Sequence, residues 1–161
     1  MTYFYKTMQS PVGMLKLVAT DSGLAAILWE DDDPKRVPLG DLIERSDHPL
    51  LQRTERQLKE YFAGTRTAFD LDLDFVGTEF QKKVWSALLA IPFGETRSYA
   101  EIASAIGNPG AARAVGAANG RNPISIVAPC HRVIGSNGDL TGFAGGLHAK
   151  RFLLSHERAR E

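Results

Sequence analysis

The stretch SYAEIASAIGNPGAARAVGAAN, residues 98–119, decides the architecture of the second half of the chain. Ser98 and Glu101 have the capping-box spacing that begins a helix, and Ile102 opens the apolar stripe that such a helix needs. The sequence GNPG at 107–110 then breaks the chain, because glycine and proline interrupt regular helix. The pattern therefore predicts a helix, a tight turn and a second helix.

The second of these helices consists almost entirely of small residues around a single arginine, Arg113. Small side chains let a helix backbone approach another surface closely, and spacing alone favours helix packing and nucleic-acid contact equally. Charge favours nucleic acid, because residues 76–161 hold 10 Lys and Arg against 6 Asp and Glu (net +4), whereas residues 1–75 hold 9 against 13 (net −4). The sequence thus predicts a DNA-binding helix-turn-helix in the basic half.

Two further helices are predicted around the helix-turn-helix. A capping box at residues 78–81 begins one of them, in which Val84 and Leu88 share an apolar side. A last helix is predicted over about residues 147–157. The second half of the chain is therefore expected to be mostly helical.

The first half has the shorter period of β-structure. Apolar runs at residues 3–8, 14–19 and 24–29, separated by turn residues, predict three strands joined by hairpins. A helix is predicted from near Pro49 to Gly64. Residues 69–75 alternate apolar side chains with three aspartates, which predicts one more half-buried strand whose aspartates form a solvated face rather than a cation site.

The change of period near Val76 marks a domain boundary. We therefore predict an α/β protein with an antiparallel sheet and helix in residues 1–75, followed by a mostly helical domain in residues 76–161. Its 161 residues, 43% apolar and 24% charged, match an ordinary globular protein, and no apolar run approaches the length of a membrane span. The N-terminus lacks a basic patch followed by a long apolar run, and a single cysteine suits a reducing cytosol, so a cytoplasmic protein is expected. A monomer is the default expectation.

The only cysteine lies in the run IVAPCHRV, residues 126–133. A thiol with an ordinary pKa of about 8.5 becomes a good nucleophile when neighbouring groups favour the thiolate, and an imidazole and a guanidinium are such groups. His131 and Arg132 directly follow Cys130. Consecutive side chains point in different directions, so His131 is expected to act through a bridging water. The alternative is that Cys130 is a small buried apolar residue.

The motif PCHRV, with Asn122-Pro123 before it and GFAGG at 142–146 after it, resembles the O6-alkylguanine-DNA alkyltransferases. The resemblance covers about residues 78–157 and is highly specific there. It implies a ribonuclease-H-like first domain and a winged-helix-like second domain. It also implies direct DNA repair, in which the alkyl group of O6-alkylguanine, with O4-alkylthymine as a second candidate substrate, is transferred irreversibly to Cys130.

The resemblance also implies roles for particular residues. His131 together with Glu157 would orient and deprotonate the thiol, the Tyr99 hydroxyl would donate toward the purine, and Asn122 would shape the turn beside the nucleophile. Each has a plainer alternative: Tyr99 as a core aromatic, Glu157 as a surface carboxylate, and Asn122 as an ordinary turn residue.

Double-stranded DNA is the implied partner, because an alkyl group on guanine O6 is out of reach until the base leaves the helical stack. Arg113 would fill the gap that the rotated nucleotide leaves. The other residues expected at the DNA are small or aromatic: Ala112, Ala114, Asn119, Phe143 and Ala144. Phe143 departs from the family pattern, in which many members have tyrosine, so a hydrogen bond from this position is lost.

The proposed chemistry needs no cofactor. No metal is expected either, because the chain has one cysteine and His48 is the only histidine before it. The product would be a thioether with no simple route back to the thiolate, so each molecule would act once. Two alternatives remain: a DNA-binding protein without chemistry, similar to the alkyltransferase-like proteins, which have another residue at the reactive position, and a thiol hydrolase that turns over repeatedly and ignores DNA.

Overall fold

The computed structural model describes residues 2–158 as a mixed α/β protein, which confirms the predicted fold class. The chain divides into two compact units, Met1–Val76 and Gly77–Glu161. No helix within residues 2–158 combines the length and the apolar character that crossing a membrane requires.

The first unit contains a four-stranded sheet in the order β3-β2-β1-β4. The strands are β1 (Tyr3–Ser10), β2 (Gly13–Ala19), β3 (Leu24–Trp29) and β4 (Leu42–Glu44). The first three pair antiparallel through hairpins, as predicted, whereas β4 pairs parallel with β1 and was not predicted. Three residues are too few to show a recognisable alternation of apolar and polar side chains. Strand β4 is therefore determined by its pairing with β1 and not by its own sequence.

Helix α1 (Pro49–Ala63) packs against β1 and β2. Its buried apolar side includes Leu51, Leu58 and Tyr61, and it ends at Gly64, whose φ of 81° is the left-handed conformation that glycine adopts readily. The predicted start and end of this helix are both confirmed.

The prediction of a strand over residues 69–75 is wrong. Only a single bridge, from Leu24 to Leu73, joins this segment to the sheet. Gly23 allows the close approach, because a Cβ there would lie 2.7 Å from the carbonyl oxygen of Asp72. The solvated face is also only partly present, since Asp74 is half-buried and accepts a 2.6 Å hydrogen bond from the Thr20 hydroxyl.

The second unit is mostly helical, with α2 (Glu79–Leu89), α3 (Tyr99–Ala105), α4 (Ala112–Gly120) and α5 (Leu147–Arg158). Both predicted capping boxes are present, at the starts of α2 and α3. Helices α3 and α4 flank the turn at residues 107–110 and form the predicted helix-turn-helix. The indole of Trp85 on α2 donates a 2.9 Å hydrogen bond to the carbonyl of Ala118 on α4, which ties α2 to this pair.

A short parallel pairing places the turn that carries Cys130 beside the helix-turn-helix. Strand β5 (Arg97–Ser98) pairs with β6 (Val133–Ile134), directly after the 3-10 turn Cys130–Arg132. Because β5 leads straight into α3, this pairing brings the beginning of α3 close to the turn that carries Cys130.

Candidate active site

The loop before Cys130 is held by the side chain of Asn122, which is fully buried. Its amide nitrogen donates to the carbonyl of Ala128 at 2.8 Å, and its oxygen accepts from the backbone N–H of Ile124 at 3.1 Å. Ile126 within this loop has a φ of 74°, a conformation that a β-branched residue adopts at a cost of about 1–3 kcal/mol. The amide bridge of Asn122 helps to hold this strained backbone in place.

Cys130 is buried at the start of the 3-10 turn, with 3% of its surface exposed. Its backbone N–H donates to the carbonyl of Ala128 at 2.8 Å, and its own carbonyl accepts from Val133 and, at 3.4 Å, from the side-chain amide of Asn119. The turn is therefore fixed by neighbours on both of its sides.

Behind Cys130 lies a buried cluster of His131, Arg132 and Glu157. His131 Nε2 lies 2.7 Å from Glu157 Oε2. Arg132 donates to both oxygens of the same carboxylate, at 2.8 and 2.9 Å, and also to the carbonyl of Ile91 at 2.7 Å. The sequence indicated Arg132 as a neighbour of the thiol, but did not indicate this bidentate contact with a residue 25 positions away.

The cluster sets the protonation of its members. Burial alone would raise the pKa of Glu157, but the hydrogen bonds from His131 and Arg132 hold that pKa far below its ordinary value, so Glu157 is a carboxylate. Burial lowers the pKa of His131 despite the hydrogen bond with Glu157, so the ring is neutral near pH 7. Since Nε2–H donates to the carboxylate, Nδ1 carries the lone pair.

Nδ1 of His131 is the basic atom of this ring, and it is buried. It has no hydrogen-bond partner among residues 2–158. Asn119 Oδ1 is the second buried side-chain atom of residues 2–158 that has no hydrogen-bond partner. His131 directly follows Cys130 in the chain, and the Asn119 amide donates to the Cys130 carbonyl, so both side chains belong to the surroundings of this turn.

Lys150 on α5 is a further buried cation of this region that the sequence analysis missed. Its Nζ donates to the carbonyl of Val133 at 2.7 Å and lies 6.0 Å from the centre of the Phe143 ring. The sequence could not predict this contact, because Val133 lies 17 residues before Lys150 and no local pattern links the two.

Tyr99, the first residue of α3, is half-buried and shares a hydrogen bond with the hydroxyl of Thr141. Its ring lies against Gly116 of α4, where a Cβ would be 3.7 Å from the ring. The hydroxyl is therefore engaged by a polar neighbour and is not packed as a purely apolar core group.

Helix α4 has two faces. Val115, Ala118 and Asn119 are buried, whereas Arg113 and Ala114 are exposed. The small residues of the buried face thus serve helix packing, and the exposed face is the one on which the predicted nucleic-acid contact would lie. Asn119 was expected at the DNA, but in this structure its side chain is buried and its amide donates to the Cys130 carbonyl.

The remaining predicted DNA contacts are less exposed than Arg113. Ala112, Phe143 and Ala144 are each half-buried. No group of three His, Cys, Asp or Glu side chains that could hold a metal ion occurs among the described residues.

Fold and site together define a helix-turn-helix protein with a buried cysteine beside a histidine, carboxylate and arginine cluster. Two family models match it: "6-O-methylguanine DNA methyltransferase, DNA binding domain" over residues 79–159, and "6-O-methylguanine DNA methyltransferase, ribonuclease-like domain" over residues 3–75. The chain therefore belongs to the 6-O-methylguanine DNA methyltransferase family.

Individual relatives agree with this assignment. A methylated-DNA–protein-cysteine methyltransferase of Mycobacterium bovis is 51% identical over 158 residues, covering 97% of this chain and 93% of the relative. One of Methanosarcina acetivorans is 49% identical over 154 residues, covering 96% and 97%. The crystal structure of Mycobacterium tuberculosis OGT in complex with DNA superposes with a TM-score of 0.89 at 48% identity, covering 99% of this chain and 94% of that one.

Proposed function

We propose that this protein repairs DNA by transferring the alkyl group of O6-alkylguanine to Cys130, once per molecule. The observation that carries the proposal is the buried cysteine next to a neutral histidine whose tautomer is set by Glu157, in a chain of this family. O4-alkylthymine is a second candidate substrate.

The reaction is a displacement at the alkyl carbon. The thiol proton passes through a bridging water to His131 Nδ1, and the thiolate then attacks the carbon bound to O6. The C–S bond forms as the C–O6 bond breaks, and its electron pair stays with the guanine. The hydroxyl of Tyr99 donates toward the purine and offsets the charge that develops there. The purine anion then takes up a proton from water, and His131 releases the thiol proton to water, so the products are intact guanine, a thioether on Cys130 and a neutral histidine.

The DNA is bound through the basic unit, by the exposed face of α4. Ala112 and Ala114 let the helix backbone approach closely, and Arg113 occupies the space that the rotated nucleotide leaves. Phe143 and Ala144 form part of the wall against which the base packs. The domain of residues 76–161 would thus contain both DNA binding and chemistry, in a monomer working in the reducing cytoplasm.

Intact-mass measurement tests the proposal. We expect the protein, incubated with a duplex containing O6-methylguanine, to gain the mass of one methyl group, which peptide mapping places on Cys130, while the lesion becomes guanine. A non-catalytic DNA-binding protein would keep its mass and the lesion. A thiol hydrolase would ignore the duplex. Either outcome would refute the proposal.

Two variants separate chemistry from DNA handling. Cys130→Ala should bind the lesion-containing duplex and remain unmodified. Arg113→Ala should react about 10-fold or more slowly with the duplex but at the normal rate with free O6-benzylguanine, because only the duplex must be opened. Equal slowing on both substrates would remove Arg113 from the extrusion step.

A further inference from the structure

Lys150 is fully buried in the second unit. A lysine is rarely buried completely unless an opposite charge accompanies it, because removing an ammonium from water is costly. The role of Lys150 in the site therefore depends on which anion accompanies it.

The contacts of Lys150 place it at the turn that carries the nucleophile. Its Nζ donates to the carbonyl of Val133 at 2.7 Å, and the N–H of Val133 in turn donates to the carbonyl of Cys130. Burial, the larger effect, lowers the pKa of Lys150, whereas electrostatic attraction to Cys130 raises that pKa. The Lys150 ammonium is thus bonded to the end of the turn that carries the buried Cys130.

The other charged groups around the turn balance one another. On α5, the carboxylate of Glu157 is used by Arg132 and His131, and this cluster has no net charge while the histidine is neutral. The charged residues of α2, the helix packed on the other side of the turn, are partly or fully exposed: Glu79, Lys82 and Lys83. Tyr99 of α3 is engaged with Thr141.

Lys150 itself forms no ion pair with a carboxylate within residues 2–158. Its charge is therefore left uncompensated by the cluster. Among residues 2–158, Cys130 is the group whose negative charge acts on the pKa of Lys150.

We propose that Lys150 is a positioning residue that supplies the counter-charge of the Cys130 thiolate, with the Val133 carbonyl holding its ammonium at the turn. Lys150 keeps all its protons throughout, since the thiol proton leaves toward His131. The Cys130 sulfur becomes neutral only when the C–S bond forms. The inference deepens the proposed function, because a thiolate maintained near neutral pH is what alkyl transfer requires.

Lys150→Met, which keeps the length of the side chain and removes its charge, tests the inference. The reaction of Cys130 with iodoacetamide is followed from mildly acidic to alkaline pH, together with the ultraviolet absorbance of the thiolate. We expect the midpoint of both profiles to rise by about one pH unit or more, which makes alkylation near pH 7 about tenfold slower, with an unchanged rate at high pH. Arg151→Met removes an exposed cation one position away and should leave the midpoint where it is.

An unchanged midpoint, or an equal loss of rate at every pH, would overturn the inference, since a purely structural role predicts that result. If Lys150→Met does not fold, the wild-type protein provides the same answer by NMR of its lysine Nζ groups before and after Cys130 is carbamidomethylated. The pKa of Lys150 should fall once the thiolate is removed, and no change would contradict the pairing. Neither measurement uses DNA, so both are independent of whether the protein repairs it.

Discussion

At the scale of single residues, the site depends on one carboxylate with two kinds of partner. Hydrogen bonds from His131 and Arg132 keep Glu157 ionised, and its carboxylate accepts Nε2–H of His131, which leaves Nδ1 of that ring able to accept a proton. A substitution of Arg132 would therefore act on His131 indirectly, through the contact of Arg132 with Glu157 and that of Glu157 with His131. A histidine beside a cysteine in the sequence implies a base, but its tautomer depends on a residue 26 positions away.

The buried His131 predicts how the stability depends on pH. Its pKa in the folded protein is below the ordinary value of about 6.5, so the unfolded chain takes up the proton first and stability falls as the pH drops below about 6.5. Glu157, whose pKa is also lowered, adds a second loss at more acidic pH. We expect the urea midpoint of the wild-type protein to decrease from about pH 7.5 to about pH 5.5.

His131→Gln should make this decrease shallower, because glutamine does not titrate. His148→Gln changes an exposed histidine of α5 and should retain the wild-type slope. A full decrease in His131→Gln would show that another group causes it.

At the scale of elements, the start of α2 is a site of close packing. A Cβ on Gly77, the residue before the capping box, would lie 2.7 and 2.8 Å from ring atoms of Trp85. That ring is buried and fixed by its hydrogen bond to Ala118, so it cannot move without cost. Gly77→Ala should therefore lower the free energy of unfolding by about 1–3 kcal/mol, measured by urea denaturation.

Gly110→Ala is the matched control for Gly77→Ala. Nothing lies within 4 Å of a Cβ there, so the substitution should be neutral or slightly stabilising. Equal effects of the two substitutions would exclude crowding at Trp85 as the cause.

The elements also show what a sequence can predict. The beginnings of α2 and α3 were predictable, because a capping box links residues three apart, and so was the end of α1 at its glycine. Strand β4 and the β5–β6 pairing were not, since each is two or three residues long and is stabilised by distant partners. The alternation over residues 69–75 was misleading because a segment along a sheet edge can alternate with only one bridge.

Within the site, too, features set by neighbouring residues could be predicted and features set by long-range packing could not. Cys130 and His131 could be predicted because they are adjacent in a specific motif, and Glu157 because the family resemblance supplied it. Lys150 and the inward direction of Asn119 depend on packing between α5, α4 and the turn, which no local pattern encodes.

At the scale of the whole molecule, zero net charge conceals a separation of charge along the chain, −4 before residue 76 and +4 from there on. DNA binding through the basic unit should release counterions although the protein as a whole is neutral. With about three phosphate contacts, raising the salt from about 50 to about 200 mM should weaken binding to an undamaged duplex by about 40-fold.

Fluorescence anisotropy at several salt concentrations measures this dependence. Arg121→Ala, at the exposed end of α4, should reduce the slope of log Kd against log salt by about one, whereas Arg56→Ala on α1 of the acidic unit should leave it unchanged. The iodoacetamide rate at Cys130 should be nearly constant over the same range, because buried charges are screened little by salt. Binding that ignores salt, or a slope changed equally by both variants, would show that the charge separation does not direct the protein to DNA.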